Sequence, residues 1–291
     1  MSASSAYRVF AILLVISVAL WWHAIAATAA LALRQDAYTH ILLVLPVSLT
    51  LILLKNNNRK WRPNPNLIGG IVMLILAALV GIVAPRFVSG QSVVTSARLS
   101  LQMVGLVAWW IGSFLLCFGR DAFRACMFPL LFLFWLVPVP DAVLNFLIVH
   151  LQQGSATTAR VLFNIAGIPV KQDGTTLAIP GLSIEVAEEC SSIRSSMMLV
   201  ISSMVLSYLL LRSLWGRALV MIAAVPLSIA KNGLRVFVLS TLGAYVNRGV
   251  LDSPLHHQGG VLFLAVALAV IVLLIWIVGW AERKTLSLAL R

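Results

Sequence analysis

Acidic side chains are scarce in this sequence. Nine aspartates and glutamates stand among 291 residues against 21 lysines and arginines, and charged residues of both signs make up only 10%. A water-soluble domain carries about 25% charge, so this chain lacks the polar surface that would solvate a globule. Cysteine is scarce too: Cys117, Cys126 and Cys190 are all there is. No two of them have metal-ligand spacing, which argues against a zinc site and against a disulfide scaffold. Internal repeats and low-complexity tracts are absent. So is any basic stripe interleaved with aromatics, so the net charge of +12 does not point to a nucleic-acid partner.

What the chain has instead is apolar length. Hydrophobic residues make up 61% and the mean hydropathy is +1.01. A helix needs about 20 apolar residues to cross the hydrocarbon core, and such runs recur along the whole chain, so one removable signal peptide does not account for them. The expected fold class is an all-α polytopic membrane protein of about eight transmembrane helices, a single integral membrane domain over 1–291. The runs are Val9–Ala29, Ile41–Leu54, Leu67–Ala84, Leu99–Phe118, Cys126–Val137, Ile193–Leu211, Ala218–Val246 and Val261–Trp280.

The basic residues set the expected orientation. Lys55, Arg59, Lys60 and Arg62 follow the second run, Arg120 and Arg124 the fourth, Arg212 and Arg217 the sixth, and Arg283, Lys284 and Arg291 the eighth. Positive loops stay in the cytoplasm, so both termini are expected there. Most acids fall on the other face: Asp36, Asp141, Asp173, Glu185, Glu188, Glu189 and Asp252. One loop on that outer face is long. In this insertion, 138–189, Pro138-Val-Pro140 ends a helix by removing backbone donors. Residues 141–166 then read as an amphipathic helix at the membrane surface. Asp173-Gly174 and Pro180-Gly181 are turn dipeptides between short β-prone runs, so a small β-hairpin or meander is expected to deliver the chain to Cys190.

Four places carry candidate chemistry. Cys190 opens the sixth run at its outer end, where the helix N-terminus, with about half a positive charge, favours a thiolate. Arg194 one turn on adds charge, and Glu188 and Glu189 oppose it unless they point away. The alternative for Cys190 is a small buried hydrophobe. In the seventh run, Lys231, Asn232 and Arg235 interrupt an otherwise apolar segment. A central Lys or Arg costs about 2.5–3.5 kcal/mol on insertion scales, so such residues face a cavity or a partner. Asn232 and Arg235 share a helix face. His256 and His257, before the eighth run, can exchange protons near neutral pH or be solvated loop residues. A metal there is disfavoured, since no third ligand is evident. Asp36-Ala-Tyr38-Thr39-His40 lies at the outer start of the second run, either lining the same cavity or serving as an interfacial belt. His23 and His150 read as structural. The region 190–280 thus forms a three-helix candidate catalytic region, with thiol, imidazole and guanidinium suited to acyl transfer.

These segments carry a resemblance. Asp36-Ala-Tyr-Thr-His40, Gly167-Ile-Pro-Val170, Val186-Ala-Glu-Glu-Cys190-Ser-Ser-Ile-Arg194, Pro226 through Asn232-Gly-Leu-Arg235, and His256 with Gly260 resemble, in order, the exosortase/archaeosortase family of membrane transpeptidases. The resemblance implies a cysteine-type transpeptidase or endopeptidase with Cys190 as nucleophile, Arg235 as essential cation and His256 as acid/base, and no cofactor. Lys231, Asn232, Arg194 and His40 would support them. Histidine at the last position points to the bacterial branch, hence to the inner membrane with the active site facing the periplasm. The implied partners are exported proteins with a C-terminal Pro-Glu-Pro motif, transmembrane helix and basic tail (the PEP-CTERM signal), membrane lipid, and an amine acceptor, in a setting of protein sorting and exopolysaccharide production. The family usually has glycine where this chain has Ser192, and His257 stays open as the alternative to His256. Two other functions fit the composition: a transporter using Lys231, Asn232 and Arg235 to bind an anion, and a non-catalytic assembly factor for exopolysaccharide export.

Overall fold

The computed structural model describes residues 3–59, 64–88, 93–186, 193–245 and 260–289. Cys190, His256, His257, Glu188 and Glu189 lie outside the described residues. The chain is a helical multi-pass membrane protein with one small sheet. Among the described residues, six helical segments are long and apolar enough to cross a membrane, or up to eight if two sharply bent helix pairs each count as a span. Large apolar side chains such as Ile68, Ile222 and Val261 are 70–81% exposed. In water that would be costly, but in hydrocarbon it is the expected outward face. The residues cluster into two compact units, Met1–Leu144 and Asn145–Arg291.

In the first unit, α1 (Ala3–Leu20) meets α2 (Trp22–Arg34) at a bend of 74°. The run expected as one span over Val9–Ala29 is therefore broken at Trp21. A 3-10 turn at Asp36–Tyr38 leads into α3 (Ile41–Arg59). Asn66 caps α4 (Leu67–Ala78), its side-chain oxygen accepting from Gly69 N at 3.1 Å. Such a cap satisfies one of the amides left open at a helix start. The helix continues through a π-helical turn at Leu79–Val83 and a 3-10 turn at Ala84–Phe87. α5 (Val93–Ala125) is interrupted at Gly119, whose φ of 83° suits glycine. Two indole N–H groups tie α5 to α1: Trp109 donates to Leu13 O and Trp110 to Ser17 Oγ. α6 (Met127–Phe132) runs into a 3-10 turn at Leu133–Leu136 and stops before Pro138. Tyr38 Oη donates to Val139 O and Ser100 Oγ to Pro138 O.

α7 (Asp141–Ile165) crosses from one unit to the other. In the second unit, β1 (Lys171–Asp173), β2 (Thr176–Ile179) and β3 (Leu182–Glu185) form the expected meander, antiparallel throughout. Gly174 (φ 58°) and Gly181 (φ 82°) sit in its two turns, where left-handed backbone is required. Leu177, Ile179 and Val186 pack with Ala156, Ala159 and Phe163 of α7 and with Val236. Three long helices complete the unit: α8 (Ile193–Leu210), α9 (Leu214–Tyr245) and α10 (Gly260–Ala289). Leu199, Val220, Ala224, Ala267, Ile271 and Ile275 form their common core. At one end Glu282 of α10 clamps the α8–α9 turn, accepting from the backbone amides of Arg212 and Ser213 and from Ser213 Oγ.

Candidate active site

The polar residues of α9 sit inside the second unit. Lys231 is 5% exposed, Asn232 0% and Arg235 6%. Lys231 and Arg235 are one turn apart, so they share a face. Two cations held this close inside a bundle raise its energy unless polar partners meet them. The first turn of α8 supplies such a partner for Lys231, whose Nζ donates to Ser195 Oγ, and one for the neighbouring Asn232, whose Nδ2 donates to Ser196 Oγ at 3.4 Å. Both serines are buried.

The opposite side of α9 is pressed against α7. A Cβ on Gly233 would come within 2.5 Å of Thr158 Cβ and 3.0 Å of Ser155 O, and one on Gly154 within 2.9 Å of Ile229. Small residues let the two backbones approach, and this fixes the rotation of α9. Further along, Phe163 meets Phe237 edge-on, with ring centroids 5.0 Å apart. Arg235 reaches toward α10. Its Nη1 lies 3.8 Å from the position a Cβ on Gly260 would take. Gly260 is the first residue of α10, so the start of α8, the Lys231–Arg235 turn of α9 and the start of α10 meet at one end of the three-helix group.

Arg194, also in the first turn of α8, is exposed. His40 belongs to the first unit. It is buried, with Nδ1 3.0 Å from Ala37 O and its ring edge-on to Trp135. His150 lies against Phe146, with Nδ1 2.8 Å from Phe146 O. No cluster of three metal-ligating side chains occurs among the described residues. Sequence reasoning missed Ser195 and Ser196. Their signal was available: a polar pair in α8 matches the polar pair Lys231-Asn232 in α9, and adjacent helices must satisfy each other's buried polar groups.

Residues 21–273 match the family of transmembrane exosortases. The chain belongs to that family. The match covers α8, α9, the start of α10 as far as residue 273, and most of the rest of the chain. Membership implies a membrane-embedded transpeptidase or protease that processes exported proteins. No curated protein and no solved structure matches the chain.

Proposed function

We propose that this exosortase family member is a cysteine-type transpeptidase in which Cys190 attacks the substrate and Arg235 and His256 assist. The observation that carries the reading is the placement of the buried Arg235 guanidinium beside Gly260, at the end where α8 and α10 both begin. Cys190 precedes the first residue of α8 by three positions, and His256 precedes Gly260 by four. These short separations along the chain support the reading.

In this reading the Cys190 thiolate adds to the scissile carbonyl. The resulting oxyanion is stabilised by Arg235, a role that preorganised donors fill in other acyl transfers. The C–N bond then breaks, the departing amine takes a proton from His256, and a thioester to Cys190 remains. An amine acceptor or water resolves it. His257 is the alternative acid/base. Lys231 and Asn232 position α9 against α8, and Arg194 supplements the field around the thiol. The substrates are exported proteins with a C-terminal PEP-CTERM-type signal, the membrane is the bacterial inner membrane, both termini are cytoplasmic, and the site faces the periplasm. The charge asymmetry of the loops supports that orientation.

The test is a gel-shift assay of a tagged substrate bearing such a signal, co-expressed with wild type or with Cys190→Ala, Arg235→Ala, His256→Ala or His257→Ala. Processing lost with Cys190, Arg235 and one histidine is the expected result and settles the histidine doublet. Processing that survives Cys190→Ala would sink the thiol mechanism.

A further inference from the structure

The first unit holds a cavity of about 290 Å³ whose lining includes Trp21, His23, Gly81, Arg86, Arg98 and Gln102. We propose that it is a binding site for a phosphate-bearing anion, separate from the acyl-transfer site and independent of it.

The polar lining has one character. Arg86 and Arg98 are fixed cations, His23 and Gln102 add polar groups, and no acid among the described residues lines the space. The chain has no acidic residue between Asp36 and Asp121. Asp36 follows the far end of α2, about 20 Å along from Trp21 at 1.5 Å per residue. Asp141 is not part of the lining. Arg98 is held in place, Nη2 donating to Val88 O at 2.7 Å.

The first turn of α2 also lines the cavity. After the 74° bend at Trp21, this turn brings the positive end of a 13-residue helix to the space, and backbone amides there suit an anion. A helix start is not a site by itself. A second observation stands beside it: Trp21 is 2% exposed, lines the cavity, and its Nε1–H has no hydrogen-bond partner among the described residues. A buried donor without a partner costs about 1–3 kcal/mol; Nε1 is covered at the cavity wall, so the indole edge must turn toward the space before an anionic oxygen satisfies it. Nε1 lies against Gly81, where an added Cβ would stand 2.8 Å away. Gly81 in turn sits in the π-helical turn at Leu79–Val83, a feature that recurs at functional sites. His23, expected from sequence to be structural, is exposed on the lining.

A phosphate can come from a lipid headgroup or from solution. Exposed Trp22 and Phe87 flank the lining, as interfacial anchors would. The two sources are separated by experiment. Full-length protein is purified in a maltoside detergent, which carries no phosphate. Its thermal midpoint and lipid retention by native mass spectrometry are followed as phosphatidylglycerol is introduced in one arm and inorganic phosphate in the other. Wild type is expected to bind in at least one arm. The Arg86→Gln/Arg98→Gln double variant should bind at least tenfold more weakly, and Trp21→Phe, which keeps the ring and loses the N–H, about threefold or more. Response to phosphatidylglycerol alone identifies a lipid headgroup, and response to inorganic phosphate identifies a free anion. Binding in neither arm, or equal affinity for wild type and both variants, overturns the proposal. Trp21→Phe keeps the test informative if the double variant does not fold.

Discussion

Lys231 on α9 donates its ammonium hydrogen bond to Ser195 on α8, with Lys231 5% and Ser195 8% exposed. The two ends of this bond are not equivalent. Ser195→Ala leaves a buried charge without this acceptor, and a hydrogen bond to a charged group is worth about 1.5–3 kcal/mol. Lys231→Met removes the charge together with its need for an acceptor, as replacement of a buried ionic group by an apolar one of similar shape often does at little cost. Unfolding of purified protein in detergent should therefore show Ser195→Ala destabilised by about 1.5–3 kcal/mol and Lys231→Met closer to wild type. The same variants test which side chain is the nucleophile, because a serine beside a lysine is itself a candidate. Ser195→Ala is expected to retain substrate processing and Cys190→Ala to lose it. The reverse pattern would transfer the nucleophile to Ser195.

Arg235 makes a sharper prediction. Removing a single preorganised oxyanion donor lowers turnover by about 100- to 1,000-fold, and this is the loss expected for Arg235→Gln in the processing assay. Arg235→Lys should not restore it, because an ammonium cannot reproduce the guanidinium fork. The contact with Gly260 adds a control. An added Cβ there would lie 3.8 Å from Arg235 Nη1, an ordinary van der Waals distance, so Gly260→Ala should stay within about twofold of wild type, whereas Gly260→Leu should displace the guanidinium and lose processing. Full activity in Gly260→Leu would separate Arg235 from the chemistry.

Much of this was legible from residue order. Apolar run length located the membrane helices, and Asp173-Gly174 and Pro180-Gly181 marked both turns of the meander, because turn dipeptides act locally. The bend at Trp21 was not legible. Apolar composition runs unbroken across it, with no proline or internal glycine nearby, so a hydropathy reading continues through a corner made by tertiary packing. The Lys231-Asn232 pair announced a buried polar contact, but naming Ser195 and Ser196 as the partners needed the register of α8 on α9. The catalytic assignments to Cys190 and His256 rest on the sequence and its family likeness, since both positions lie outside the described residues.

Gly233 tests whether the close approach of α7 and α9 holds the site in register. An alanine there would drive its methyl to 2.5 Å from Thr158 Cβ and 3.0 Å from Ser155 O. One of these neighbours is backbone, so a rotamer change cannot relieve the clash. Overpacking of this kind costs about 1–3 kcal/mol, and the shift of α9 should carry Lys231 and Arg235 with it. Gly233→Ala is expected to lower both the thermal midpoint and processing. Combining it with Thr158→Gly should recover part of each by removing the nearer obstacle. No recovery in the double variant would mean that the α7–α9 contact does not set the position of the site.

Thiol labelling tests orientation and nucleophile together. Cys117 and Cys126 are both fully buried, at 0% exposure, and a reagent must reach a thiolate to react with it. A membrane-impermeant maleimide applied to the outer face of spheroplasts should therefore modify the protein only through Cys190. Labelling should vanish in Cys190→Ala and persist in the Cys117→Ala/Cys126→Ala double variant. Inverted vesicles, which present the cytoplasmic face, should leave the wild type unlabelled. If labelling appeared only in inverted vesicles, the proposed topology would reverse, the site would face the cytoplasm, and an exported substrate would have no route to it from outside.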